Sequence, residues 1–200
     1  MDRKCILRVM GALALVLAVP QMVWGHAGHA GVEHGTALFA GLLHPLSGLD
    51  HLLAMVAVGL WASQLGRRAM IALPAAFVSF MVVGGLLAYA AVPVPLVEQG
   101  VVASVLVLGL ILATGLRLPV GLGVAMVGAF AVFHGYAHVS ELAGHSLAGY
   151  GAGFIITTAA LHLAGIGLGV LLRSPRRTLV VRAAGGGIAA AALLLSLGAI

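Results

Sequence analysis

Charge is what this chain of 200 residues has least of. It carries five acids and ten Lys or Arg, 8% of the sequence. A soluble domain has roughly a quarter charged residues, so an aqueous surface around a single buried core is excluded. Cysteine is almost missing as well. The single Cys5 lies in a segment expected to be removed, which leaves the mature chain without disulfides or thiolate metal sites. No GxxxxGK(S/T) run occurs, so energy from nucleotide bound within this chain is excluded. The net charge of +5 and the pI near 10.4 do not point to nucleic acid, because the basic residues sit in short loops and at the N-terminus and form no patch interleaved with aromatics. Internal repeats, low-complexity tails and loops long enough to hold a soluble domain are also missing.

Apolar residues take their place. The chain is 62% hydrophobic with a mean hydropathy of +1.18, and it contains 29 glycines. Small residues let membrane helices approach closely, so this composition describes a packed bundle whose solvent is lipid.

Residues 1–25 read as a signal peptide. Arg3, Lys4 and Arg8 form a basic start, 9–19 an apolar run, and Pro20 ends it ahead of Val23-Trp24-Gly25. Small residues at minus-three and minus-one place the cleavage after Gly25, with an uncleaved signal anchor as the alternative. Residues 26–200 then form one transmembrane domain that opens with a His-rich segment, 26–35. Apolar stretches of about 20 residues place spans near 47–65, 69–92, 96–116, 119–142, 147–172 and 179–200. A shorter piece, 36–43, precedes the first span. His44-Pro45 is expected to break it from that span, so that it enters the membrane partway or lies against the bundle. The fold class expected is an all-α bundle of six transmembrane helices with a broken first segment.

Arg67-Arg68, Arg117, and Arg173, Arg176, Arg177 and Arg182 fall after the first, third and fifth spans, whereas the loops after the second and fourth carry no Lys or Arg. Basic loops stay in the cytoplasm. The protein is therefore expected in a bacterial inner membrane, with both mature termini in the periplasm.

On that orientation eight of the nine histidines lie outside or toward the outer face, and only His162 sits within a span. The first constellation is His44-Pro45-Leu46-Ser47-Gly48-Leu49-Asp50-His51. His44 is expected in an irregular turn, which membranes tolerate where backbone lines a cavity. An intramembrane Asp50 needs a partner, and a His N–H or a metal would serve. Met55, one turn on, offers a thioether but more simply packs. The second is Phe133-His134-Gly135-Tyr136-Ala137-His138-Val139-Ser140-Glu141, in which His134, His138 and Glu141 share a helical face. Glu141 can ligate or hold the tautomer of His138. A polar stripe wetted by headgroups is the plainer alternative. Imidazole with carboxylate suits Ni(II), Co(II), Zn(II) or Cu(II) and argues against Mg(II) or Ca(II). His162 lies roughly 20 Å from the outer end of its span, where Thr158 on its face is placed to hydrogen-bond it. The cleaved N-terminus would add the amine and ring of His26, with His29 and His34 behind it, for weak metal capture.

These residues resemble the HupE/UreJ family of bacterial membrane proteins, which are associated with hydrogenase and urease gene clusters and regarded as nickel or cobalt permeases. The likeness rests on the signal peptide and His-rich start, HPLSGLDH, FHGYAHVSE and the LHLAG around His162. It implies metal handling by His44, Asp50, His51, His134, His138 and Glu141, and a role for His26 and His162. Five residues separate His44 from Asp50-His51, where the better-known nickel/cobalt permeases carry four. The resulting expectation is a secondary transporter that takes up a divalent transition metal, nickel first, to supply hydrogenase or urease maturation. Its substrate is the ion itself, and no prosthetic group is called for. Its partners are lipid and, indirectly, maturation proteins. A membrane-embedded zinc hydrolase using Ser47 or Ser140 beside the histidines is one rival. A metal-binding accessory protein without transport is the other.

Overall fold

The computed structural model describes residues 37–142 and 146–199, apart from the side chains of 175–177. The signal segment, His26, His29, His34 and His145 lie outside the described residues. Among the described residues seven helices follow in chain order: α1 Ala37–Ser47, α2 Leu49–Leu65, α3 Arg67–Tyr89, α4 Val97–Thr114, α5 Val120–Ser140, α6 Leu147–Leu171 and α7 Pro175–Ser196. Among the described residues there is no strand. In a bilayer every backbone polar group must be paired internally, and uninterrupted apolar segments meet that demand as helices.

Five helices, α3 to α7, are long and apolar enough to cross a bilayer, and α1 with α2 makes a sixth segment bent by 81°. The sixth is broken, as the sequence suggests, but not at His44-Pro45. Helix α1 runs through both residues, so His44 is helical and does not lie in an irregular turn. Proline's fixed φ is a helical one, so Pro45 fits within the last turn of α1 at the cost of the one bond its missing N–H would have made to the turn before. The break falls at Gly48, whose φ of −93° and ψ of 116° are extended and which caps α2. Its carbonyl accepts the Leu52 N–H at 3.0 Å and starts the next helix.

Helix α2 is central. It packs on α6, α4 and α3, while α3 pairs with α5, α4 with α7, and α1 with α6. Trp61, Met55, Phe77, Leu73 and Leu106 are fully buried among these helices, so Met55 belongs to the core. Glycines set how closely the helices approach. A Cβ on Gly59 would run into the His162 carbonyl, and one on Gly135 into the Met81 carbonyl. The outside of the bundle exposes Ile71, Leu86, Ile156, Leu163 and Leu171, a surface that lipid solvates and water would not.

Chain reversal at each loop sorts the charges. The described carboxylates Asp50, Glu98 and Glu141 all lie at one end of the bundle, and every described arginine lies at or near the other. Arg173 donates to the Ser63 carbonyl at 2.9 Å and Arg182 to that of Ala113 at 2.8 Å. Each closes a carbonyl near a helix C-terminus that the helix cannot pair itself.

Candidate metal centre

The bent pair and α5 bring the two histidine motifs together. His44 comes from the last turn of α1, Asp50 and His51 from the first turn of α2, and His134 and His138 from the end of α5. His51, His134 and His138 form one buried group whose ligand atoms lie within 4.8 Å of one another. His44, His138 and Glu141 form a second, more exposed group by the same measure, and His138 belongs to both. Ring centroids of His138 stand 4.0 Å from His51 and 4.8 Å from His44, and those of His51 and His134 stand 4.7 Å apart.

Nitrogen ligands about 2.1 Å from a shared ion sit roughly 3–3.5 Å from each other. Within 4.8 Å of one another, the ligand atoms of each group are near enough to converge on one ion by side-chain adjustment.

Nearly every nitrogen in the inner group is spoken for or conspicuously available. Asp50 Oδ1 lies 2.7 Å from His51 Nδ1 and also accepts the His51 backbone N–H at 2.8 Å. That bond satisfies one orphan donor of the helix start and puts negative charge where the helix dipole favours it. It also leaves His51 Nε2 buried with no hydrogen-bond partner. The same holds for His134 Nδ1 and for both nitrogens of His138. Buried polar atoms are nearly always paired, so four unpaired imidazole nitrogens in one place mark a spot built to receive something. Asp50 meets this group through its hydrogen bond to the His51 ring.

In the outer group, His44 Nε2 lies 3.3 Å from Glu141 Oε2, with both side chains partly exposed. The common helical face expected for His134, His138 and Glu141 is thus shared out. Glu141, one residue past the end of α5, faces His44, and His134 turns inward.

His162 lies deeper. It is level with Gly59, eight residues or about 12 Å along α2 from His51. Both of its nitrogens are buried without partners, as is Thr158 Oγ1, so the expected Thr158–His162 hydrogen bond is not made. The imidazole turns to Phe77, edge-on at 5.0 Å. The Phe77 ring also touches His134 at 5.4 Å, which places one aromatic side chain against both the inner group and the deep histidine.

Three contributors are not evident from the motifs. Phe77 on α3 and Phe154 on α6, whose ring lies 3.9 Å from His138, are ordinary apolar residues in apolar runs. Ser104 on α4, fully buried, lies 2.8 Å from His134 Nε2. A lone serine within VVASVLVLGLIL is the one signal the sequence offers for it. The serines of the hydrolase alternative are engaged elsewhere. Ser47 donates to the His44 carbonyl at 2.7 Å and Ser140 to that of Tyr136 at 2.9 Å. A cleft of about 350 Å³, mostly apolar, opens between α3, α5 and α6 and has His138 in its wall with Met81, Gly135, Tyr150 and Phe154.

Comparison with known proteins agrees with this architecture. The family described as HupE / UreJ protein matches residues 13–195. Protein HupE of Rhizobium leguminosarum bv. viciae is 43% identical over 183 residues, which cover 91% of this chain and 94% of that protein. No solved structure matches the chain.

Proposed function

Because this chain belongs to the HupE/UreJ family of multi-pass membrane proteins, we propose that it carries a divalent transition metal, nickel first, inward across the bacterial inner membrane. The observation that carries this reading is the sharing of His138 between an exposed group and a buried one. On the orientation that keeps the arginine end in the cytoplasm, His44 and Glu141 meet the ion first, from the periplasm. Exchange of water for imidazole and carboxylate brings it onto His138. Movement of that ring then passes it to His51 and His134, and beyond Phe77 lies His162. His26 and His29 at the mature N-terminus would gather ions ahead of this path.

Two features favour passage over storage. Each set offers three ligand residues among those described, one short of a closed tetrahedral cage, so each holds the ion loosely enough to give it up. The outer and inner sets share His138, so one side-chain movement links them, as multi-site conduction requires. Membrane potential alone supplies about 4–5 kcal/mol for a divalent cation at 100 mV, enough to drive uptake without nucleotide. The ion so delivered would serve hydrogenase or urease maturation.

The apolar cleft beside His138 is the one feature that favours a membrane-embedded hydrolase, and the directions taken by Ser47 and Ser140 disfavour it. Purified protein distinguishes these readings by metal content. A permease loses its metal on dialysis, whereas a hydrolase keeps one zinc per chain. An accessory binder takes up nickel in solution yet gives no flux in proteoliposomes, and that outcome would overturn the permease reading.

A further inference from the structure

We infer that Ser104 fixes the tautomer of His134, so that this histidine offers Nδ1 to the passing ion while its neighbour His51 offers Nε2. The inference deepens the reading of the three-histidine group as a transit site and rests on it for its consequence, though not for its geometry.

The geometry is a matter of counting protons. The Ser104 hydroxyl oxygen lies 2.6 Å from the Val101 carbonyl oxygen and 2.8 Å from His134 Nε2. A hydroxyl has one proton to give and two lone pairs to receive with, and a carbonyl oxygen only receives. Two oxygens 2.6 Å apart with no proton between them repel, so the hydroxyl proton points to Val101. What remains toward His134 is a lone pair, and Nε2 must therefore carry the hydrogen that donates to it. A neutral imidazole protonated at Nε2 has its own lone pair at Nδ1. That atom is buried and has no partner in the protein.

His51 is set the other way. A carboxylate only accepts, so its Nδ1 donates to Asp50 Oδ1 at 2.7 Å and the free lone pair is at Nε2. His138 has no such partner on either nitrogen, which suits a ring that must turn between two groups. The site thus has two fixed ligands of opposite tautomer and one unfixed ligand between them and the outer group. The two fixed ones also differ in strength. A carboxylate partner makes an imidazole a stronger donor to metal than a neutral hydroxyl does. The His134 side, which faces Phe77 and His162, is therefore the weaker of the two and the easier to leave inward. Ser104 touches no ion in this scheme. It is a positioning residue on α4, a helix that contributes no ligand of its own.

The test uses the full-length protein in detergent, metal-free, with nitrogen-15 in its histidines. Proton–nitrogen correlation spectra report which ring nitrogen carries hydrogen, and the His134 signals are assigned by their loss in His134→Gln. Protonation of His134 at Nε2 and of His51 at Nδ1 is expected. Ser104→Ala should show both tautomers at His134 and bind nickel about tenfold more weakly, and Ser104→Thr, which keeps the hydroxyl, should restore both. His134 protonated at Nδ1 in the wild type would overturn the inference, and that measurement needs no variant of Ser104 to fold. So would a Ser104→Ala protein with one unchanged tautomer and unchanged affinity. Wild-type protein with the expected tautomers but no affinity for nickel upholds the Ser104 assignment and overturns the transit site instead.

Discussion

Asp50 Oδ1 and His51 Nδ1 stand 2.7 Å apart at the start of α2, so the carboxylate orients the imidazole and leaves its other nitrogen facing His134 and His138. Asp50→Asn keeps an oxygen able to accept but removes the charge. Nickel affinity is expected to fall about tenfold, in line with other carboxylate partners of ligating histidines. The fold should persist, because the amide oxygen can still receive the His51 backbone N–H. Isothermal titration of the variant against wild type, with circular dichroism as the check on folding, measures both.

His138 is the one residue the two groups share, and its loss should be of a different kind from the loss of an outer ligand. His44→Ala or Glu141→Gln removes the first contact only. Each should raise the nickel concentration for half-maximal uptake severalfold and leave the maximal rate near wild type. His138→Ala should remove uptake at every concentration. Initial rates over a range of nickel separate these cases, since a change in half-saturation alone reports lost binding and a lost maximum reports lost passage.

His162 should divide binding from transport. It lies about 12 Å along α2 beyond His51, in contact with Phe77 and a member of neither the inner nor the outer group. His162→Ala is expected to bind nickel with wild-type affinity and to move almost none. Binding to purified protein and uptake by proteoliposomes made from the same preparation give the comparison directly.

Packing around the site leaves no room between α3 and α5. A Cβ at Gly135 would strike the Met81 carbonyl, whereas one at Gly121 meets nothing within 4 Å. Gly135→Ala should therefore cost about 1–3 kcal/mol or more and displace His134 and His138 on either side of it. Gly121→Ala should be neutral. Thermal denaturation in detergent, followed by loss of the monodisperse peak, reads the difference.

Much of this was legible in the chain itself. Apolar runs give helices in lipid almost without alternative, since the backbone must pair with itself there, and each described helix overlaps a segment marked by hydropathy, although α1 runs on through His44-Pro45 and α3 and α7 begin at Arg67 and Pro175, ahead of the apolar runs. The meeting of HPLSGLDH with FHGYAHVSE follows from both standing at the same end of antiparallel spans. Other features depend on atoms far apart in sequence. The break belongs to Gly48 and not to Pro45, since a proline's φ fits a helix, and at 48 a Cβ would press on Asp50 Oδ1 and His51 Nδ1. Glu141 shares a helical face with His138 by spacing, yet it lies one residue past the helix end and turns to His44. Spacing along one helix also could not reveal that His162 would meet Phe77 of α3 in place of Thr158, or that Ser104 of α4 would reach His134.

The most direct measurement is uptake of radioactive nickel by cells lacking their own nickel permeases, expressing wild type, His51→Ala or His138→Ala, with cobalt and zinc as competitors. Saturable uptake by the wild type, lost in both variants while each protein still reaches the membrane, is the expected result. Wild-type protein present and folded in the membrane, with nickel uptake no higher than in cells carrying the empty vector, would contradict transport by this chain.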